Sequence, residues 1–159
     1  MEIMRHRCVV AGLGEDGRSR VVSDGSVEAQ ALGPISIAQP WVGSIACRTD
    51  NASAEGRSGV PFRFEQLSEP VYGFMIAEYA PGLGRDDPGM HFTDTADHFY
   101  VLEGEVVLVL EQEEVVLRAG DCGVCRGVTH GWRNLSDTPA RLITFVLPAT
   151  RAVREEPSS

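Results

Sequence analysis

A chain of 159 residues with 43% hydrophobic residues is long enough for one domain with its own core, and its four cysteines give no sign of a disulfide scaffold. The formal net charge of −9 argues against a nucleic-acid or anionic-membrane partner, because both need basic patches. The first residues form no apolar signal core, and no run approaches the roughly 18 apolar residues of a membrane span. We therefore expect a cytoplasmic protein.

Short runs rich in Val, Ile, Phe and Tyr alternate with Gly and Pro, and no long stretch has helical periodicity. This pattern is typical of an all-β sandwich or barrel. The predicted strands are Arg7–Ala11, Ser19–Ser23, Val42–Thr49, Tyr72–Tyr79, His98–Leu102, Glu105–Glu111, Glu114–Arg118, Cys122–Cys125, Thr129–Arg133 and Arg141–Leu147. A tight turn at Gln112–Glu113 predicts a hairpin between two of them.

The segment GLGEDG near the N-terminus fits the Gly-x-Gly-x-x-Gly pattern of dinucleotide-binding loops at Gly12, Gly14 and Gly17. Such a loop requires a following helix, whose N-terminus holds the pyrophosphate. Here the residues SRVVSDG follow, which favour a strand and a turn. We interpret the segment as a hairpin turn around Asp16–Gly17.

The pair Cys122 and Cys125 has the Cys-x-x-Cys spacing of redox motifs, but a redox pair usually lies at the start of a helix. Here the pair falls in a predicted strand, where residues three apart point to opposite faces. One pair also falls short of the four ligands of a structural zinc site. We expect two small, packed side chains.

Two blocks in the second half carry the most specific pattern. The first contains Gly89, His91, Asp97 and YVLEGE at Tyr100–Glu105, and the second is GDCGVCRGVTHGWRN, with Gly120, Asp121, Gly127, His130 and Asn134. With these blocks the sequence resembles the small single-domain cupins. The resemblance extends to two earlier segments, the N-terminal RCVVAGLGEDGRSRVVSDGS and the middle CRTD. The resemblance implies a jelly-roll β-barrel (a double-stranded β-helix) and, commonly, a homodimer.

The resemblance also implies a division of the chain. Residues 1–60 are expected to supply N-terminal strands and a loop that pack on the barrel, with a dimer arm as one option. Residues 61–150 are expected to form the cupin barrel, and residues 151–159 a flexible tail. The polar, small residues of Asp50–Gly59 indicate a surface loop.

The cupin resemblance implies a divalent metal site inside the barrel, formed in the family by two histidines one residue apart, a glutamate and a distant histidine. In this sequence Thr93 stands at the second histidine position and Asp97 at the glutamate position. The implied ligands are His91, Asp97 and His130, with His98 as the alternative if a bulge reverses which side chain faces inward. The ion would be Zn, Fe(II), Mn or Ni.

Other interpretations of these residues stay open. Asp97 can stabilise a turn in TDTAD, and His130 can be a hydrogen-bonded interior histidine without a ligand. Positions two apart on a strand share a face, so His91 and Thr93 are both expected to face the interior. Of the acidic pair Asp86–Asp87, we expect either a solvated loop or a lid.

Four further side chains are candidate polar contacts or acid/base groups for a substrate in an otherwise apolar pocket: Glu78, Tyr79, Tyr100 and Arg126. Glu78 and Tyr79 cannot both face inward on a regular strand.

These residues support three hypotheses. The first is a metal-dependent small-molecule enzyme of secondary or catabolic metabolism, of lyase, decarboxylase, dehydratase or cyclase type. The alternatives are a non-haem Fe(II) dioxygenase and a non-catalytic cupin that binds a small molecule.

Overall fold

The computed structural model describes residues 3–46 and 51–150, and its regular structure is β apart from one short 3₁₀ helix, Phe64–Ser68. Within these ranges no helix is long and apolar enough to cross a membrane. The strands are β1 (Arg5–Leu13), β2 (Ser19–Glu28), β3 (Gln30–Leu32), β4 (Ile35–Ser44), β5 (Val71–Tyr79), β6 (Thr95–Glu103), β7 (Glu105–Leu110), β8 (Glu114–Arg118), β9 (Cys122–Arg126), β10 (His130–Arg133) and β11 (Ala140–Pro148).

Three sheets organise these strands. The largest has six strands in the order β3-β4-β5-β11-β6-β9, a second has the order β10-β7-β8, and β1 and β2 form a separate ribbon. Every pairing is antiparallel. The main core joins the two larger sheets, with Val101 and Leu142 from one and Val106 from the other all 0% exposed. This is the predicted jelly-roll architecture.

The glycine-rich segment after β1 is a hairpin turn, as predicted, and not a nucleotide loop. Strand β2 follows it, and the Arg18 N–H donates to Asp16 Oδ1 over 3.0 Å. Gly17 has φ of 72°, the left-handed region that favours glycine. No helix N-terminus is present here to hold a phosphate.

The structure extends the predicted strands at the N-terminal side. Strand β4 begins at Ile35 instead of Val42, and β3 was not predicted at all. Both precede residue 61, where the sequence places the start of the barrel, yet both belong to its six-stranded sheet. The predicted continuation of this strand to Thr49, the residue Cys47 and the predicted tail at 151–159 lie outside the described residues.

The Cys-x-x-Cys pair lies in β9, and its two side chains face opposite sides, as expected. Cys125 is 3% exposed, and burial, followed by the nearby charge of Asp97, raises the pKa of its thiol to about 11. Cys122 is exposed, so the expectation that both thiols are packed was wrong for this one. A raised pKa lowers the thiolate fraction of Cys125 at neutral pH, which is the opposite of what reactive redox cysteines show.

Candidate active-site cavity

A cavity of about 520 Å³ lies between the inner face of the six-stranded sheet and strand β10. This volume falls in the range of small-molecule sites, roughly 300–1,000 Å³. Most of its lining is aliphatic or aromatic, including Phe62, Met75, Phe99 and Trp132. The polar lining residues, apart from the Trp132 indole, are Tyr79, Asp87, His91, Thr93, Asp97, His130 and Thr144.

The chain between β5 and His91 runs along the free edge of β10, and this pairing brings the two histidines together. The Trp132 N–H donates to the Pro88 carbonyl over 3.0 Å, and His91 and His130 exchange two backbone hydrogen bonds of 2.9 and 3.0 Å. A Cβ on Gly131 would lie 2.5 Å from the Pro88 carbonyl oxygen, so only glycine permits this approach. The backbone therefore fixes the position of His91.

The imidazole rings of His91 and His130 lie with their centroids 4.5 Å apart. Nδ1 of His91 contacts the Gly89 carbonyl oxygen at 2.8 Å, and Nδ1 of His130 contacts the Val128 carbonyl oxygen at 2.9 Å. A carbonyl oxygen only accepts, so both Nδ1 atoms carry a proton, and each neutral ring keeps the lone pair on Nε2. His130 is 4% exposed, whereas His91 is exposed, so the pair lies where the cavity meets solvent.

Asp97 lines the same cavity from strand β6, between Val146 and Cys125 on the neighbouring strands. Its Oδ1 atom is buried and has no hydrogen-bond partner. A buried polar atom without a partner costs free energy, so this oxygen is available for a ligand. Asp97 belongs to a regular strand, and the alternative that it stabilises a turn is wrong.

Thr93 also lines the cavity, so it shares a face with His91 as the sequence predicted. Its hydroxyl lies 2.8 Å from the hydroxyl of Thr95. Among residues 3–46 and 51–150, no three His, Cys, Asp or Glu side chains form a group that could hold a metal ion. The imidazoles of His91 and His130 therefore lie together without a third such side chain grouped with them, and Thr93 stands where the cupin resemblance places a second histidine.

Tyr79 is the one predicted catalytic candidate that reaches the cavity. Its pKa is raised, first by burial and then by the charges of Asp97 and Cys125. The raised pKa favours the protonated phenol, which can donate a hydrogen bond to a ligand in the cavity. Its ring packs against Trp132, with centroids 5.8 Å apart.

The other candidates lie elsewhere. Glu78, next to Tyr79, faces the outside of the sheet and forms a 2.8 Å ion pair with Arg141. Tyr100 is 45% exposed on the outer face of β6, and His98 is exposed on that same face, away from Asp97. Arg126 lines a different hollow, of about 860 Å³. The structure thus brings together His91, Asp97, His130 and Tyr79 and leaves the other four outside.

The acidic pair before His91 divides in the same way. Asp87 lines the cavity and accepts a 2.9 Å hydrogen bond from the Gly89 N–H through Oδ1, so it stabilises the turn that leads to His91. Asp86 is exposed.

Sequence reasoning missed the apolar wall that precedes β5. Phe62, Phe64 and Leu67 line the cavity from the segment that contains the 3₁₀ helix, and Thr144 lines it from β11. The short alternation PFRF and the later Leu67 were the available signal. It is too short to distinguish a loop from a wall of the cavity.

Residues 75–146 match the family profile of the cupin domain. Over most of its length the fold is similar to the cupin domain of Cnp3 from Schizosaccharomyces pombe, at 14% identity and a TM-score of 0.55, with 89% of this chain and 87% of that chain covered. It is also similar to an RmlC-like cupin from Shewanella frigidimarina, at 18% identity and a TM-score of 0.50, covering 77% and 85% of the two chains. The chain thus contains a cupin domain at residues 75–146, within the jelly-roll fold described above.

Three curated fungal proteins are similar over shorter segments. Phomopsin biosynthesis cluster protein D of Diaporthe leptostromiformis is 45% identical over 58 residues, which cover 36% of this chain and 31% of that protein. Oryzines biosynthesis cluster protein J of Aspergillus oryzae is 40% identical over 74 residues, covering 45% and 40% of the two chains. A cupin-domain-containing oxidoreductase of Neurospora crassa is 49% identical over 74 residues, covering 45% and 36%. The matched segments thus span about a third of these relatives.

Proposed function

We propose that the protein is a small-molecule enzyme of secondary metabolism that catalyses a lyase-type reaction in the cavity beside His91 and His130. The observation that carries the proposal is the imidazole pair itself, with both Nδ1 atoms bound to backbone carbonyls and both rings at an apolar cavity. Relatives in the phomopsin and oryzines biosynthesis clusters support the metabolic setting.

Paired imidazoles are suited to moving two protons in one reaction. The neutral ring of one histidine takes a proton from the carbon next to a substrate carbonyl through Nε2, and this C–H electron pair forms the new C=C bond. The C–O bond to a β-hydroxyl breaks, and that oxygen leaves as water with a proton from the other, protonated ring. Transfer of one proton between the rings, whose centroids are 4.5 Å apart, restores the starting state.

The hydrogen-bond donor that the reaction needs at the substrate carbonyl is the phenol of Tyr79. As negative charge develops on that oxygen, a donor already placed in a buried site stabilises it. Burial and the nearby carboxylate raise the pKa of Tyr79, so it donates a hydrogen bond and does not act as a base. The sequence contains no lysine, so activation of the carbonyl as a lysine Schiff base is not available.

Metal dependence is the finer part of this proposal. Cupins commonly bind metals, and the sequence predicts a Zn, Fe(II), Mn or Ni ion here. His91, His130 and Asp97 would hold the ion, while Thr93 stands in place of the second histidine of the family pattern. The proton transfers above use the imidazoles and Tyr79 alone, and the affinity of the site for Zn²⁺ is a separate prediction.

The test of the proposal is elimination of water from a panel of β-hydroxy ketones, followed by the ultraviolet absorbance of the enone product. His130→Ala and His91→Ala should each lower kcat/KM by roughly 100-fold or more, because each removes one proton-transfer group. His98→Ala is the matched control, since His98 lies on the outer face. Full activity in His130→Ala would overturn the proposal.

A second candidate is an oxidoreductase, favoured by the 49% identity to the cupin-domain-containing oxidoreductase of Neurospora crassa. Its test is oxygen uptake after the protein is loaded with Fe(II) and supplied with the same panel. Uptake that depends on His91 and His130 would favour this function over elimination. Tight ligand binding without turnover in either assay would favour the non-catalytic cupin.

A further inference from the structure

We propose that the cavity selects a neutral, hydroxyl- or phenol-bearing molecule with an apolar body and discriminates against carboxylates. This inference concerns the same cavity, so it rests on the proposed function and names its substrate class. Three features of the described lining carry it: its charges, its hydrogen-bonding groups and the position of its apolar wall.

The charged lining residues are Asp87 and Asp97, and none of the lining residues is a Lys or Arg. Arg63 and Arg133, which lie on the segments that flank the cavity, are ion-paired with Glu69 and Glu114. A carboxylate in the cavity would therefore lie near the carboxylate of Asp97, and its one possible cationic partner would be a protonated imidazole, because no lining residue is a Lys or Arg. The electrostatics disfavour an acid and tolerate a neutral ligand.

The unpartnered polar atoms of the cavity wall are mainly acceptors. His91 and His130 each keep an Nε2 lone pair when neutral, because each Nδ1 proton is bound to a carbonyl oxygen. Asp97 adds a buried oxygen without a partner. A ligand matches these groups when it brings O–H donors, as an alcohol, enol or phenol does. The Tyr79 hydroxyl remains available to donate to a carbonyl on the same molecule.

The remaining wall accommodates the apolar part of the ligand. Phe62, Met75 and Val146 form one buried cluster, and Leu67 packs against it. The ring of Phe64 contacts Phe62 edge to face with centroids 5.2 Å apart, yet Phe64 is 67% exposed. The exposed ring of Phe64 therefore leaves apolar surface at the cavity against which an apolar ligand can pack.

The expected substrate class favours some of the proposed reaction types over others. Decarboxylation requires a carboxylate in the cavity, which the lining does not favour. Loss of water and ring closure both proceed from a neutral hydroxy-carbonyl compound, which the acceptor groups and Tyr79 match. We therefore place the dehydratase and cyclase types ahead of the decarboxylase type.

The experiment compares three probes with one tail and different head groups: 4-hexylresorcinol, 4-hexylbenzoate and hexylbenzene. Binding is measured by titration calorimetry near neutral pH with a chelator present, so that trace metal ions do not neutralise the benzoate. We expect 4-hexylresorcinol to bind at least about tenfold more tightly than either other probe, because it alone brings donors. Asp97→Asn should reduce this preference severalfold, and His98→Ala should leave it unchanged.

Equal or tighter binding of 4-hexylbenzoate would overturn the inference, and so would the absence of binding by 4-hexylresorcinol. Failure here is distinguishable from failure of the proposed function. If the benzoate binds best while His130→Ala still abolishes turnover, only the substrate class is wrong. If His130→Ala retains full turnover, the proposed function is wrong whichever probe binds.

Discussion

Asn134 and Asp97 are two polar side chains with buried atoms, and their hydrogen bonding differs completely. Asn134 is 0% exposed, and its amide nitrogen donates to the carbonyls of Tyr79 and Thr138 at 3.0 and 2.8 Å. Its oxygen accepts from the backbone and the hydroxyl of Ser136. Asp97, by contrast, has a buried oxygen with no partner.

The difference separates a structural group from one available to a ligand. A side chain that uses all its donors and acceptors within the protein stabilises the fold and has nothing left to bind with. Asn134 thus fixes the turn after β10 to the end of β5, which carries Tyr79. Asp97 lowers stability and keeps its binding capacity for a ligand, as functional groups often do.

The largest expected effect follows from removing the side chain of Asn134, whose hydrogen bonds are all formed within the protein. Asn134→Ala should lower the free energy of unfolding by about 3 kcal/mol, because the carbonyls of Tyr79 and Thr138 lose their donor inside the protein. Urea denaturation measures this change. Asp137→Ala is the control in the same turn, since Asp137 is exposed, and it should stay within about 0.5 kcal/mol of the wild type.

The next prediction concerns Asp97, whose buried oxygen has no hydrogen-bond partner. Asp97→Asn should leave the free energy of unfolding unchanged or raise it by up to about 1 kcal/mol, since it removes a buried charge without a partner. The same change should lower kcat/KM for elimination by roughly tenfold or more. It should also move the pKa of Tyr79 back toward its ordinary value, which an alkaline absorbance titration follows. A marked loss of stability would show that Asp97 has a structural role.

A third prediction tests the metal site. The wild type should bind Zn²⁺ weakly, because only two imidazoles lie together in the cavity. Thr93 stands in place of the second histidine of the cupin pattern. Thr93→His should tighten Zn²⁺ binding by about tenfold or more, as measured by competition with a chromogenic chelator. Thr93→Ser is the matched control. If Thr93→His and Thr93→Ser bind equally, position 93 does not face the two histidines.

The smallest effect concerns the N-terminal ribbon. His6 has a lowered pKa, first because of burial and then because of Arg141, while Glu78 partly opposes the shift. The unfolded chain therefore takes up this proton first, and stability should fall as pH decreases below the ordinary value of 6.5. Thermal melting across this range should show a shallower pH dependence for His6→Gln. An unchanged dependence would mean that other groups dominate.

Several features of the fold could be predicted because they depend only on residues that are close together in the sequence. The Gln112–Glu113 turn joins β7 and β8 as expected. The first part of β4, before Val42, could not be predicted in the same way, since Pro40 interrupts the run and proline disfavours a strand interior. The structure accommodates Pro40 at a register shift between Ala38 and Trp41. A bulge of this kind depends on the partner strand and is not visible in the local sequence.

The site was predictable to the extent that alternation along a strand determines it. Asp97 faces inward and His98 outward because β6 is regular, and the same rule separates Tyr79 from Glu78. The contact between His91 and His130 is different, since it depends on the pairing of a long loop with the edge of β10. The same alternation places Tyr100 on the outer face with His98, whereas the position of Arg126 depends on how β9 pairs with β6. The homodimer implied by the resemblance stays a prediction.

The most direct test of the paired imidazoles is a long-range ¹⁵N–¹H correlation spectrum of the histidine rings, recorded with and without 4-hexylresorcinol. The account predicts that His91 and His130 both carry their proton on Nδ1, show cross-relaxation between their ring protons, and shift at Nε2 when the probe binds. Rings protonated on Nε2, without contact between them or response to the probe, would contradict the proposed site.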